Sequence, residues 1–359
     1  MSVKGFISKQ VEKAWYEGAR WSRALAPLEP IYKRSALKVR VRDQIFAKNN
    51  PLNIPVVVVG NITAGGTGKS PVVAQLARDL LDRGYRPGIL SRGYKAEAND
   101  QPHLVTPTDL VSQVGDEPLM LALSLPNIPV VVDRDRLRGA RFLQNESEVD
   151  IIICDDGLQH YRLPRDIEIL VIDAERGIGN GRLIPVGPLR EPVERLASVD
   201  YVLCNGQQST LPKPLINQVD GEFSLQPKCW RKVATGESID LHTMQAKEVL
   251  AISGIGNPKR FHKSLQALGL SPLAVNFPDH HAFQKTDFIE AQKRVANKEI
   301  QIVMTAKDAV KCRSFADPDW LYLEVEAGLP TDLLESNLAK LKNRKLRTKS
   351  TISSAQHKE

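Results

Sequence analysis

The run Thr63-Ala64-Gly65-Gly66-Thr67-Gly68-Lys69-Ser70 carries the plainest chemistry in this chain. Glycines let a phosphate approach the backbone without Cβ atoms in the way, so the N–H groups of such a loop can converge on it. A lysine directly after the last glycine reaches the β- and γ-phosphates of a nucleotide, and the hydroxyl that follows it ligates Mg2+. ATP and Mg2+ are therefore the expected ligands, with all eight residues lining or shaping the phosphate site. The common pattern opens with glycine; here that position is Thr63, so the entry to the loop is expected to be shaped differently.

Other groups could complete such a site. Ile151-Ile152-Ile153-Cys154 runs into Asp155-Asp156, and an apolar strand ending in aspartate is the second nucleotide motif, whose acid holds Mg2+ directly or through water. The alternative is an ordinary strand followed by an Asp156-Gly157 turn. Gly115-Asp116-Glu117-Pro118 places two acids at a helix start, where they serve either as caps or as chemistry. Arg92, in Ser91-Arg92-Gly93-Tyr94, follows another strand and either binds an anion or pairs with a carboxylate. Asp279-His280-His281 offers a group that shares a proton near neutral pH, or a structural pair, or a weak metal site. Gly187-Pro188-Leu189-Arg190-Glu191-Pro192 holds an arginine and a glutamate in a rigid turn.

These residues need a scaffold that brings strand ends together. Val56-Val57-Val58-Val59 is short, β-branched and continuously apolar, as expected of a strand buried on both faces. The phosphate loop follows it, and then a helix to about Arg83, closed by Gly84. Further strands are predicted at Gly88–Leu90, Val130–Val132, Ile151–Cys154, Ile167–Ile172 and Tyr201–Leu203. The alternation with helical stretches predicts an α/β fold, a P-loop type, doubly wound, mostly parallel sheet with its sites beyond the carboxyl ends of the strands. A polar stretch around Gln207–Gln226 reads as a connection. After it, a second and smaller α/β rhythm runs through Val249–Ser253, Pro258–Leu268, Ala274–Phe277, Phe288–Val295, Ile300–Met304 and Trp320–Val325. The expected divisions are an N-terminal segment 1–50, a P-loop domain 51–215, a smaller domain 216–335 and a basic tail 336–359.

The chain has 359 residues and a net charge of +7, with 42% hydrophobic and 25% charged residues, which excludes wholesale disorder. No apolar run is long enough to span a bilayer, and Lys4, Lys9, Glu12 and Lys13 interrupt any signal core. Four scattered cysteines without a C-x-x-C pair read as reduced and cytosolic. Positive charge gathers at the ends. Residues 1–50 hold eleven Lys/Arg against four Asp/Glu, and residues 340–359 hold seven against Glu359 alone, so the stretch between is net acidic. The tail reads as a solvated end. At the start, Ile7, Val11, Ala14, Gly18, Trp21, Leu25 and Leu28 recur at helical spacing, with Trp15 beside them, until Pro27 and Pro30 end the helix. Basic neighbours and two tryptophans suit a water–lipid boundary, while docking on the protein's own core is the equal alternative; both hold if the helix sits at the rim of a site. A nucleic-acid partner is disfavoured, since the body is acidic and carries no such motif. No N-K-x-D run is present to suggest guanine, and no obligate protein partner is inferred.

Taken in order, the loop preceded by Gly60-Asn61, then S-R-G-Y, G-D-E-P, D-D-G-L-Q-H, G-P-L-R-E-P, S-G-I-G-N-P, F-P-D-H-H and T-A-K-D-A-V-K, resemble the tetraacyldisaccharide 4′-kinases of lipid A biosynthesis, from Trp15-Tyr16 to about Leu329. The resemblance implies transfer of ATP's γ-phosphate to the 4′-hydroxyl of a membrane-embedded, tetraacylated glucosamine disaccharide 1-phosphate. It implies a peripheral enzyme on the anionic cytoplasmic face of the bacterial inner membrane. It assigns Asp116 as the base with His280 assisting, and Lys69 and Ser70 to phosphate and Mg2+. Asp155, Asp156, Glu117 and Glu191 would support metal and water, while Arg92, Gln159, His160 and Arg190 would line the reacting groups. Thr305-Ala306-Lys307-Asp308 would help assemble the site from the second domain.

Overall fold

The computed structural model describes residues 3–93, 100–244, 247–295, 300–336 and 341, with the side chains of 3–9 and 20 left aside. Tyr94 of the S-R-G-Y motif and nearly all of the basic tail lie outside these residues. Two sheets carry the fold. The first holds β1 (Val56–Gly60), β2 (Pro87–Ser91), β3 (His103–Leu104), β4 (Val130–Val132), β5 (Ile151–Asp155), β6 (Ile167–Asp173), β7 (Tyr201–Asn205) and β8 (Gly221–Phe223). Its order is β3-β4-β2-β5-β1-β6-β7-β8, parallel except for β3. The second holds β9 (Leu225–Lys232), β10 (Ser238–Ile239), β11 (Glu248–Ser253), β12 (Ser271–Asn276), β13 (Gln301–Thr305) and β14 (Leu321–Ala327). Its order is β10-β9-β14-β13-β11-β12, and β9 pairs antiparallel with its neighbours. The expected α/β fold is thus present, and each strand expected from a hydrophobic run lies within a few residues of it, whereas β3, β9 and β10 lie outside those runs. The stretch expected as a bare connection contains β8, which adds to the first sheet beside β7.

The helices are α1 (Val3–Tyr16), α2 (Glu29–Lys48), α3 (Lys69–Asp82), α4 (Val111–Val114), α5 (Asp116–Ser124), α6 (Arg136–Glu146), α7 (Lys213–Ile216), α8 (Pro258–Ala267), α9 (Lys285–Lys293) and α10 (Ala306–Cys312). β1 lies in the middle of the first sheet between β5 and β6, and Val56 to Val59 are at most 3% exposed. That is why its sequence is an unbroken β-branched run and not an alternating one. One core lies on each face of this sheet, with α3 in the first and α6 in the second.

The N-terminal region departs from the expected single helix. α1 ends at Tyr16, the chain turns at Gly18 (φ 83°), and a 3-10 stretch covers Arg20–Leu28. Pro30 does not end a helix; it stands in the first turn of α2, where a missing N–H is harmless. The end of α1 is docked on the protein itself. Ala14 is 2% exposed, Trp15 Nε1 donates to the Pro185 carbonyl at 3.3 Å, and Asn180 donates to the Trp15 carbonyl at 2.8 Å. α2 has two unlike faces. Tyr32 and Phe46 pack on the core, whereas Ile31, Leu37, Val41 and Ile45 point outward and are 64%, 59%, 49% and 57% exposed.

Candidate active site

The phosphate loop joins the end of β1 to α3, whose N-terminus directs its partial positive charge at the loop. Thr63 does not enter the loop as a glycine would. It forms an antiparallel bridge with Leu189, and Ala64 N–H donates to the Pro188 carbonyl at 2.8 Å. The Gly187–Pro192 turn therefore continues the sheet edge beside the loop, a conformation that suits β-branched threonine. Gly68 sits at φ 92°, and a Cβ there would lie 2.4 Å from Asn205 Nδ2, so glycine is required twice over. Two asparagines hold the loop's carbonyls outward: Asn61 Nδ2 donates to Gly65 O at 3.2 Å, and Asn205 Nδ2 donates to Thr67 O at 3.0 Å. With carbonyls turned away, the N–H groups are left to face a phosphate.

A cleft of about 550 Å³ opens over the loop between the two sheets. Ala64, Gly65, Gly66, Lys69, Arg92, Asp116, Glu117, Asp155, Asp156, Gln159, His160, Arg190 and His280 all line it, together with Tyr32, Arg136, Asp279 and Lys307. Thr63, Thr67, Gly68 and Ser70 form the loop behind that wall, and Glu191 lies outside it. The carboxylate of Glu191 accepts from Tyr161 and, at 2.7 Å, from Gln159, and pairs with Arg195 at 3.4 Å. These contacts orient Gln159 and Tyr161 from behind the cleft.

Parallel pairing of β5 with β1 sets Asp155 opposite Val59, beside the start of the loop. Asp155 is 1% exposed, and neither carboxylate oxygen has a hydrogen-bond partner in the protein. Burial, with repulsion from Glu117, pushes its pKa up to about 7. An orphaned buried carboxylate beside a phosphate site fits a divalent cation. Among the described residues no three His, Cys, Asp or Glu cluster to hold a metal. Mg2+ takes one or two protein oxygens and completes its shell with phosphate and water, so Asp155 needs no such cluster around it. Asp156 is differently placed: Lys69 Nζ lies 3.3 Å away and Arg190 3.3 Å away. Burial opposes its charge, but these two cations outweigh it and hold the carboxyl well below the usual range. Glu117 pairs with Lys307 at 3.0 Å.

Asp116 begins α5 of the first sheet, and His280 follows β12 of the second. They are 164 residues apart and meet, His280 Nδ1 to Asp116 Oδ2, at 2.8 Å. Burial would raise the Asp116 pKa, yet the His280 hydrogen bond and the ammonium groups of Lys307 and Lys311 hold it below the usual carboxylate range. The carboxylate is therefore ionised and can only accept, so Nδ1 carries the proton. Lys307 Nζ, which can only donate, stands 3.4 Å from Nε2. Among the described residues only Asp156 (φ 49°) and His280 (φ 58°) are non-glycines with positive φ. Backbone strain thus gathers at the site, as it does where side chains must be aimed. His160 is held neutral: burial and the charges of Arg136 and Arg92 push its pKa down to about 3.

Sequence reasoning passed over Asn205, Asp173, Arg136, Arg260 and Tyr32. The signal for Asp173 was present, since β6 is another apolar run ending in an acid. Tyr32 and Arg260 had none, because their partners are far away in sequence.

A central parallel strand, a glycine loop, a lysine at a helix start and a buried carboxylate on the next strand define a P-loop phosphotransferase. The family model for tetraacyldisaccharide-1-P 4′-kinase matches residues 21–342. A tetraacyldisaccharide 4′-kinase of Alcanivorax borkumensis is 41% identical over 335 residues, 93% of this chain and 98% of that one. One from Pseudomonas paraeruginosa is 43% identical over 325 residues, 89% of this chain and 93% of that one. The crystal structure of LpxK from Aquifex aeolicus, an "apo" form in complex with ATP, superposes with a TM-score of 0.68 at 27% identity, covering 90% of this chain and 99% of that one. The chain belongs to the tetraacyldisaccharide 4′-kinase family.

Proposed function

We propose that the protein transfers the γ-phosphate of ATP to the 4′-hydroxyl of a tetraacylated glucosamine disaccharide 1-phosphate, a step of lipid A biosynthesis, at the cytoplasmic face of the inner membrane. The observation that carries the roles is the Asp116–His280 pair, built from both sheets inside the cleft that also holds Lys69. Asp116 accepts the acceptor hydroxyl's proton. A weakly basic, ionised carboxylate suffices where the transition state is loose and the proton leaves late. His280 orients Asp116 through Nδ1–H, and Lys307 on its other side keeps that tautomer. Lys69 meets the charge on the transferred group; its partner Asp156 holds the side chain over the loop until then. Asp155 and Ser70 would hold Mg2+, Asp156 and Glu117 line the same cleft, and the cation would neutralise charge on the nucleotide's phosphates. Arg92, Arg136, Gln159, His160 and Arg190 line the same cleft and offer donors for sugar and phosphate oxygens.

No helix among the described residues is long and apolar enough to cross a membrane. The outward side chains Ile31, Leu37, Val41 and Ile45 of α2 alternate along one arc with Arg34, Lys38, Arg42 and Lys48. Such a helix suits an anionic bilayer surface, with its apolar side chains among the acyl chains and its cations on the head groups. Tyr32, on the inner face of the same helix, donates to the Arg190 carbonyl at 2.9 Å and lines the cleft. An acceptor lifted from that bilayer would find the cleft at its rim. The deciding assay supplies ATP labelled in the γ-phosphate and the disaccharide lipid in mixed micelles. Label on the 4′-oxygen supports the assignment; hydrolysis alone, or label on water-soluble acceptors only, overturns it.

A further inference from the structure

The Ser253-Gly254-Ile255-Gly256-Asn257-Pro258 motif is the one conspicuous run to which the reaction assigns no part. It joins β11 to α8, and it touches both halves of the chemistry. Gly254 O accepts from His280 N–H at 3.2 Å, while Gly254 N–H donates at 3.0 Å to Asp308, a fully buried carboxylate. Gly256 lies against the phosphate loop: a Cβ on it would stand 3.3 Å from the Gly66 nitrogen. One turn on, Arg260 Nη2 donates to Asp173 Oδ1 at 3.1 Å and to the Asn205 carbonyl at 3.3 Å. Asn205 is the residue whose amide turns the Thr67 carbonyl out of the loop. Asp173 and Asn205 are each 1% exposed at the ends of β6 and β7.

We infer that Ser253–Arg260 is a positioning clamp for ATP, with Arg260 as its grip. The second sheet sets the phosphate loop through the chain Arg260–Asn205–Thr67, and it sets His280 through Gly254 in the same segment. This rests on the reading that the Gly65–Ser70 loop binds ATP, and it adds that a helix outside the cleft governs how well it does so. The reasoning is geometric. N–H groups converge on a phosphate only while the carbonyls between them are held away, and Asn205 performs that only while its own backbone is fixed. Arg260 fixes it with a guanidinium nitrogen, Nη2, that donates both to the Asp173 carboxylate and to the Asn205 carbonyl, and such charge-assisted bonds are stronger than neutral ones.

The test uses the full-length enzyme and measures ATP dissociation constants, KM for ATP and for the lipid acceptor, and thermal melting. Arg260→Met is expected to weaken ATP binding by about tenfold, equivalent to ~1.4 kcal/mol, with the acceptor KM within about twofold. Arg260→Lys, which keeps a charged donor, is expected to recover much of the loss. Because Arg260→Met also strands the buried Asp173 carboxylate, Gly256→Ala gives an independent reading: it removes no charge and presses a methyl group on the loop. It too is expected to raise the ATP dissociation constant, with an unchanged melting temperature. If both variants bind ATP as the wild type does, the clamp is merely structural and the inference falls. If Lys69→Ala also binds ATP normally, the loop is not the nucleotide site, and the reading beneath the inference falls with it.

Discussion

Asp116 carries its charge at neutral pH, and that decides how its loss must show. Asp116→Ala is expected to lower kcat by about a hundredfold or more while the ATP dissociation constant stays near wild type, because a base acts on the transition state and not on bound nucleotide. Single-turnover kinetics beside nucleotide titration checks this; a collapse of ATP binding with kcat preserved would make Asp116 a cap. His160 gives a test in pH. Its folded pKa of about 3 lies below the ordinary 6.5, so the folded state binds fewer protons than the unfolded one between those values. Stability from this group is complete above about pH 6.5 and is lost as pH falls toward 3. Melting curves at pH 7 and pH 5 should show His160→Gln losing less stability on acidification than wild type. An equal loss in both would remove the burial argument. At this scale the sequence was readable where chemistry is local. Lys69 and Ser70 follow their glycines, and Asp155 ends its own strand. The Asp116–His280 pair was legible only through family likeness, because spacing cannot bring together residues on two sheets. Asn205 was passed over, and the hold of Asn61 on the Gly65 carbonyl could not be read, because an amide that grips a backbone carbonyl leaves no pattern in sequence.

The elements at the N-terminus divide work that one amphipathic stripe had been expected to do. α1 packs: Ala14 is buried and Trp15 bonds the Pro185 carbonyl. α2 presents the outward apolar arc. Leu37→Glu with Ile45→Glu is therefore expected to release the protein from anionic vesicles and raise KM for the lipid acceptor, with melting temperature little changed, since neither side chain supports the core. Trp15→Ala is expected to do the reverse, lowering the melting temperature by several degrees and leaving vesicle binding alone. Co-sedimentation beside a thermal melt separates the two, and wild-type sedimentation of the double variant would end the assignment of α2 to the membrane. The misreading has a physical origin. Proline reads as a helix stop, but in the first turn it is a start, and a helix that turns apolar side chains to both core and exterior shows no clean periodicity. By contrast β1 was legible because burial on both faces leaves an unbroken Val run.

At the scale of the molecule, the cleft exists only while two sheets meet. Lys307 of α10 is the bolt on the reacting side, 3.0 Å from Glu117 and 3.4 Å from Asp279. Burial opposes its charge, but the surrounding carboxylates outweigh that and raise its pKa above the usual lysine range. Lys307→Met leaves those acids facing one another across the seam. The expected result is a fall in kcat of about tenfold or more from misplacement of His280, with KM for ATP changed far less. Steady-state kinetics decides it, and an unchanged kcat would show that the seam closes without this residue. The division into two sheets could be read from a second hydrophobic rhythm, whereas the seam could not, since its charges lie on loops and helix ends far apart in sequence. The membrane role proposed for the outward arc of α2 reaches beyond structure into the rate law. An enzyme resting on a bilayer through that arc meets its acceptor by lateral diffusion in two dimensions. Its velocity follows the mole fraction of acceptor among neighbouring lipids, so added inert lipid slows it at constant bulk acceptor. Diluting the same vesicles in buffer leaves the turnover of each bound molecule as it was.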